Sequence, residues 1–258
     1  HRGRNIVLTK DGEILLAHVN LIMKEMELAK KELREAEEAE HKTVKLSLYA
    51  ASKMVPSFLM EFRQKHPDIR LEILLQSLQQ DAEVMQKGID LALRSNIKPL
   101  DDGHSVTLFK EEIMLAVPDT DPHANMPSVN LSDFSEASFI CLHTGQSLRT
   151  VTDFYCRKAG FMPKVALESD SPETVQEFIR TGLGISFVPQ ITWGGVGGEH
   201  VVLVPIASPR CYRYISLTWD KDKELSAPAM ELKKYIIDHF ADFAKSYAAK
   251  QFSTIGRI

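Results

Sequence analysis

Between Thr9 and about Ala39 no proline interrupts the chain, Gly12 is the only glycine, and Ala, Leu, Lys and Glu dominate. These residue types lose least on entering a helix. Thr9 is placed to cap its start, with a hydroxyl that accepts from the free amides of the next turn, while Asp11 and Glu13 suit the positive end of the dipole. A helix of roughly 30 residues, about 45 Å at 1.5 Å per residue, is predicted. Its apolar positions keep a seven-residue beat. Leu15, Ile22, Ala29 and Ala36 form one series, and Val19, Met26 and Leu33 follow four residues after each of the first three. That is the spacing of a coiled-coil seam. The stripe reads as narrow, and the other faces carry Lys24, Glu25, Glu27, Lys30, Lys31, Glu32, Arg34, Glu35, Glu37 and Glu38, which resist burial. A second helix must cover it, and another copy of the chain is the simplest source. The alternative is a helix lying on its own globule, since periods of 3.5 and 3.6 diverge slowly over a few turns.

From Thr43 the period changes. Val44 to Leu48 alternates as a strand, and a helix follows with apolar residues at Met54, Val55, Phe58, Leu59 and Phe62, ended by His66-Pro67-Asp68. Ile69 to Leu75 alternates again, a helix over Gln79 to Lys87 closes at Gly88, and Ile89 to Leu93 is a short apolar strand. Strand and helix in alternation build a mostly parallel sheet covered by helices. The second half repeats the order: a strand at Phe139 to Leu142, a helix at Ser147 to Lys158, a strand at Val165 to Leu167, a helix at Pro172 to Arg180, and a strand at Gly184 to Val188. Between the halves Glu112 to Val117 is extended and Pro118 to Ser128 is irregular. Tyr214 to Trp219 is extended, and Ser226 with Pro228 opens a last amphipathic helix to about Tyr247. Two small α/β lobes joined by two crossing strands explain this order better than one continuous sheet.

Composition narrows the function. Lys and Arg total 31 against 35 Asp and Glu, a net charge of -4, which gives no broad phosphate-binding surface. Cys141, Cys156 and Cys211 are widely spaced, with no CxxC pair and no histidine at metal-ligand spacing. Buried inert thiols in a reducing, cytoplasmic compartment are the reading, with a redox pair of Cys141 and Cys156 as the alternative. No run is long and apolar enough to span a membrane, and HRGRNIVLTKDGE has no signal-peptide pattern. HExxH, GxSxG, the P-loop and the dinucleotide fingerprint are all missing, and Gly182-x-Gly184 precedes a strand where such a fingerprint must follow one. No catalytic residues, cofactor or metal are assigned.

The chain resembles the LysR-type transcriptional regulators along essentially its whole length. Leu8-Thr9-Lys10-Asp11-Gly12-Glu13 after Arg2 or Arg4 is similar to the end of that family's winged helix-turn-helix and the start of its linker helix. His66-Pro67, Gly88-Ile89-Asp90-Leu91-Ala92-Leu93, Val117-Pro118, Gly160-Phe161-x-Pro163, Glu168-Ser169-Asp170-Ser171, Gly182-Leu183-Gly184-Ile185 and Val188-Pro189 fall in the family's order. Each piece is weak alone, and the joint order carries the likeness. The resemblance implies a periplasmic-binding-protein-like α/β fold with two Rossmann-like lobes around a central cleft, preceded by a dimerising helix. It divides the chain into a remnant of the wing at 1–9, a linker helix at 10–41, lobe I at 43–112 and 208–247, and lobe II at 113–207. It implies a regulator, not an enzyme, that binds DNA through a module ahead of residue 1. The partners expected are a small effector, anionic or partly apolar, and further copies: a homodimer through Leu15, Val19, Ile22, Met26, Ala29 and Leu33, and a homotetramer at full length. A solute-binding protein of the periplasmic type is the alternative.

In a parallel sheet the ligand crevice lies beyond the carboxyl ends of the strands, where loops meet helix N-termini. Four such loops are rich in small donors: Ala51-Ser52-Lys53, Ser77-Leu78-Gln79-Gln80, Thr144-Gly145-Gln146-Ser147 and Ser169-Asp170-Ser171. Free amides there favour an anion. The same Ser and Asp residues also cap helices without any ligand, and Ser171 reads chiefly as a cap. The resemblance places effector contacts at Ser52, Ser77, Leu78, Thr144 to Ser147 and Ser169 to Ser171. Leu78 departs from the Ser or Thr of carboxylate-binding members and suggests a bulkier or less polar ligand, or a site shifted toward Thr144. Lys53 stands ready for an acid group or for solvent, and Phe187, Trp193 and the glycine-rich loop Gly194 to Gly198 are expected to wall or gate the cleft.

Overall fold

The computed structural model describes residues 8–76, 88–196 and 200–255. The chain divides into two compact units, His1–Thr43 and Val44–Ile258. The helix expected over Gln79 to Lys87, together with Ser77, Leu78, Gly197, Gly198 and residues 1–7 of the expected wing remnant, lies outside the described residues.

The first unit is one helix, α1 (Lys10–His41). Thr9 caps it as its hydroxyl chemistry requires: the Gly12 N–H donates to Thr9 Oγ1 at 3.1 Å and the Glu13 N–H to the Thr9 carbonyl at 2.9 Å. Leu15, Val19, Ile22, Met26, Ala29 and Leu33 are all exposed. So are Ile14, Leu21 and Leu28, a further seven-residue series about 100° around the helix from the Leu15 series. The apolar surface is therefore broader than the narrow stripe read from the sequence.

The second unit is built on a seven-stranded sheet. Its strands are β1 (Thr43–Leu48), β2 (Arg70–Leu75), β3 (Leu91–Asn96), β4 (Ser105–Pro118), β8 (Ser186–Pro189), β9 (Val201–Val204) and β11 (Tyr212–Thr218). The order is β2-β1-β3-β11-β4-β8, with β9 also on β4. Two short pairs complete the strands: β5 (Val129–Asn130) with β10 (Ile206–Ser208), and β6 (Ser138–Leu142) with β7 (Lys164–Ser169). The expectation of a mostly parallel sheet needs correction. Pairing is parallel for β1 with β3 and for β6 with β7, but β11 runs antiparallel to both β3 and β4, and β8 and β9 run antiparallel to β4. The chain returns through the sheet at these strands, so they cannot all point one way.

β4 carries the architecture. From Ser105 to Glu112 it pairs with β11, and from Ile113 to Pro118 it pairs with β8 and β9. A separate hydrophobic core hangs on each stretch. The first packs α2 (Val55–Lys65) and α5 (Ala227–Ile255) on the sheet. Val55, Phe58 and Phe62 line one face of α2 at helical spacing, and Ala229, Leu232, Ile236 and Phe240 do the same on α5. Pro56 sits in the first turn of α2, where its missing N–H costs nothing, and the following His66-Pro67 stops the helix. The second core packs α3 (Ser147–Lys158) and α4 (Pro172–Arg180) around Ile113, Leu115, Phe139, Ile140 and Ile179.

Phe240 is fully buried, with its ring 5.6 Å from Phe58 and 5.4 Å from Phe109. Phe240→Ala removes that wedge from between sheet and helix and is expected to lower the unfolding free energy by about 3–5 kcal/mol. Urea denaturation with an unchanged slope checks it.

Candidate functional site

Three strand-to-helix turns converge on one cavity of about 620 Å³, within the range that encloses a metabolite-sized ligand. The first follows β1. Ala51 takes a left-handed conformation (φ 59°), unusual for a residue with a Cβ, and swings the chain into the short 3-10 turn Ser52–Met54 ahead of α2. The Met54 N–H closes that turn on the Ala51 carbonyl at 2.9 Å. The second follows β6, where Gly145 (φ 93°) supplies the positive angle that delivers Gln146 and Ser147 to the start of α3. The third follows β7, where Ser171 Oγ accepts from the Thr174 N–H at 3.2 Å and caps α4.

The two well-formed helix ends differ. No side chain caps α3, and its first residues, Gln146, Ser147 and Leu148, line the cavity at the positive end of the helix dipole. Ser147 instead donates its hydroxyl across the cleft to the Tyr49 carbonyl at 2.5 Å, which ties the start of α3 to the end of β1. Arg149 fixes this corner from behind. Its guanidinium donates to Asp153 at 2.8 Å, to the Leu142 carbonyl at 3.0 Å and to Glu168 at 2.5 Å, and so joins α3 to the ends of β6 and β7.

Beneath the turns lies a buried ion pair. Arg213 on β11 donates from Nε to Glu111 Oε1 at 2.6 Å, and from Nη2 to Thr192 Oγ1. The Glu111 carboxylate also accepts from the Ile191 N–H at 3.0 Å, the Thr192 N–H at 2.9 Å and the Thr192 hydroxyl at 3.0 Å. The two charged side chains are 2% and 0% exposed, a depth tolerated only because nearly every polar atom has a partner.

Ser52, Thr144, Gln146, Ser147 and Ser171 line the cavity together. Others in the expected set do not. The exposed Lys53 gives its ammonium to Gln176 Oε1, and Ser169 Oγ accepts from the Ser171 N–H at 3.2 Å. Gly145 shapes its turn without lining the cavity. Phe187, expected on the wall, is buried in the second core with its ring stacked on Phe139 at 5.5 Å. Trp193 does line the cavity, while Ser77 and Leu78 fall outside the described residues. Sequence reasoning missed Tyr49, His143, Glu173 and Arg213 as lining residues. Arg213 had a signal: it is in phase with Ile215 and Leu217 on an alternating strand, where a charge facing the core demands a partner.

Among the described residues no group of His, Cys, Asp and Glu is arranged to hold a metal ion, and no helix is long and apolar enough to cross a membrane. All three cysteines are free and buried.

A two-lobed α/β sensor with a donor-lined cleft is the class that this fold and site define. Residues 36–241 match the LysR substrate binding domain, and the chain belongs to that family. Its relatives are transcriptional regulators, which does not favour the solute-binding alternative. The chain is 30% identical to the HTH-type transcriptional regulator YybE of Bacillus subtilis over 93% of its own length and 83% of the relative's. It is 28% identical to the transcriptional dual regulator GltC of the same organism, covering 93% and 81%. Among solved structures it is similar to the regulatory domain of Synechocystis CcmR in complex with 2-PG (TM-score 0.68, 21% identity, 77% of this chain and 97% of that one). It is also similar to the effector binding domain of QuiR in complex with shikimate (TM-score 0.66, 20% identity, 78% and 97%). A full-length BenM variant matches 93% of this chain at TM-score 0.65 and 20% identity, over 81% of its own length.

Burial pushes the Cys141 thiol up to about 11 and the Cys156 and Cys211 thiols to about 12. A thiol whose pKa is higher folded than unfolded contributes stability that is full below pH 9 and is lost as pH rises through 11 to 12, because the unfolded chain ionises first. Two outcomes are expected. Iodoacetamide at mildly alkaline pH leaves all three thiols unmodified in the folded chain and alkylates them in urea, as read by intact mass. The melting temperature falls as pH is raised past 9.

Proposed function

We propose that this chain is the sensing and oligomerising segment of a LysR-type regulator, and that it works by binding rather than by catalysis. The observation that carries this reading is the cavity itself. Its donors come from Ser52 on one side, and from Thr144, Gln146, Ser147 and Ser171 on the other. A ligand held by both sides stabilises one angle between them and so shifts a population of conformers. In this reading lobe I comprises residues 43–112 and 208–247, lobe II comprises 113–207, and the angle is set where β4 exchanges partners between Glu112 and Ile113. The effector is a small molecule, anionic or partly apolar. The relatives carry helix-turn-helix names. A module of that kind would read DNA for this chain, with the angle between lobes passed to it through α1.

Two substitutions test the cleft. Ser52→Trp and Thr144→Trp each fill it from one side, and each is expected to abolish the rise in melting temperature that a cellular metabolite extract gives the unaltered chain. An unchanged shift in both variants places the ligand elsewhere.

The exposed apolar series on α1 supports self-association, because a helix this charged on its other faces leaves a seam that water solvates poorly. Val19→Glu with Met26→Glu puts like charges on that seam. Light scattering across a dilution series is expected to show a dimer or larger assembly for the unaltered chain and a monomer for the variant. An identical mass for the two removes α1 from the interface.

A further inference from the structure

A second cavity, of about 360 Å³, shares no lining residue with the cleft. The Glu111–Arg213 ion pair has one member on each: Arg213 lines the cleft, and Glu111 lines the second cavity. Aromatic rings supply much of its wall, from Phe109 on β4, Tyr212 on β11, and Phe243 and Tyr247 one turn apart on α5. The Phe243 ring lies 5.8 Å from Phe109, edge to face, and 6.0 Å from Tyr247, stacked. Phe243 and Tyr247 lie beyond residue 241, where the match to the LysR substrate binding domain ends, so this wall stands outside the matched domain.

The charges on the lining are unequal in what they have to meet. Glu111 is neutralised by Arg213. Lys110 holds its ammonium 3.6 Å from the centroid of the Tyr212 ring and 5.9 Å from that of Tyr214, so its charge already faces two π surfaces. Glu112 is half-buried, and among the described residues its carboxylate makes no hydrogen bond or ion pair. A cavity of this size with apolar rings and one unmatched carboxylate favours a flat apolar body that carries a positive charge. An anion there would meet Glu112 with nothing left to offset it.

We infer from these walls a second binding site, for an aromatic amine: a ring packed among Phe109, Phe243 and Tyr247, and a protonated amino group directed to Glu112. The inference goes beyond the reading of the cleft and does not depend on it. The place has a mechanical meaning as well. β4 passes from one core at Phe109 to the other at Ile113, and the chain returns from Cys211 to Ile215. Glu111 and Glu112 on the outward path and Tyr212 on the return path all line this cavity. A ligand held here touches both segments that join the cores.

The test uses the whole chain with phenethylamine and tryptamine, each beside the alcohol and the carboxylic acid of the same skeleton (2-phenylethanol and phenylacetate, tryptophol and indole-3-acetate). Binding is measured by calorimetry at pH 7, and thermal unfolding checks that each variant still folds. At least one amine is expected to bind about fivefold or more tighter than its alcohol and its acid. Glu112→Gln is expected to bring that amine down to the level of the alcohol. Tyr247→Ala, at a half-buried position near the end of α5, is expected to weaken it about fivefold. Ser52→Trp, which fills the cleft, is expected to leave it unchanged. The site is overturned if the unaltered chain binds no amine, or if alcohol or acid binds as tightly as the amine. It is overturned too if amine binding is lost in Ser52→Trp but kept in Tyr247→Ala and Glu112→Gln, which moves the amine to the cleft. None of these results touches the cleft reading, whose own variants decide it.

Discussion

One buried ion pair sets the terms for the rest of this body. Glu111 and Arg213 are removed from water almost completely, and an isolated charge at that depth would be prohibitive. The pair is tolerated because each oxygen of Glu111 accepts from more than one donor, two of them backbone amides of the segment after β8. Breaking it would strand a charge in the interior, so β4, β11 and the Ile191–Thr192 turn must keep their mutual geometry. These are the segments through which the two cores are connected. Apolar packing would hold them as firmly, but it would not fix the register so narrowly.

Around that fixed point the cleft follows from ordinary helix chemistry. Here β1, β6 and β7 each run on into a helix, and every helix begins with amides that its own backbone cannot satisfy. In α4 Ser171 answers them. In α3 no side chain does, and Ser147 gives its hydroxyl proton to the Tyr49 carbonyl across the gap. That hydrogen bond draws the two sides together at the same corner where the α3 amides have no side-chain cap. A sensor needs both properties at once: contacts that join its halves, and unspent binding capacity where they meet.

The long helix and the cores were readable in advance for simple reasons. The period of α1, the Thr9 cap and the apolar faces of α2, α3 and α5 are local patterns, each contained within a few turns of chain. The boundaries of Ser147–Lys158 and Pro172–Arg180 came out as read because Gly160, Ser171 and Pro172 punctuate them. Antiparallel pairing of β11 was not readable, since a strand's pattern is the same whichever way it runs. The second apolar series on α1 is written in the sequence too, at Ile14, Leu21 and Leu28, but a coiled-coil seam occupies only two positions in seven and so does not include it.

The candidate site divides along the same line. By itself the sequence determined which loops are polar, which residues begin helices and where the glycines sit, because those properties belong to neighbours in the chain. Only the tertiary structure decided that Ser52 and Ser147 line one cavity, that Phe187 belongs to a core, and that Arg213 has Glu111 beneath it, 102 positions away in sequence. Side chains at such separations are brought together by the whole pattern of strand order and burial. No short stretch of residues encodes that pattern, so charge partners and cavity walls become visible only once the sheet has closed around them.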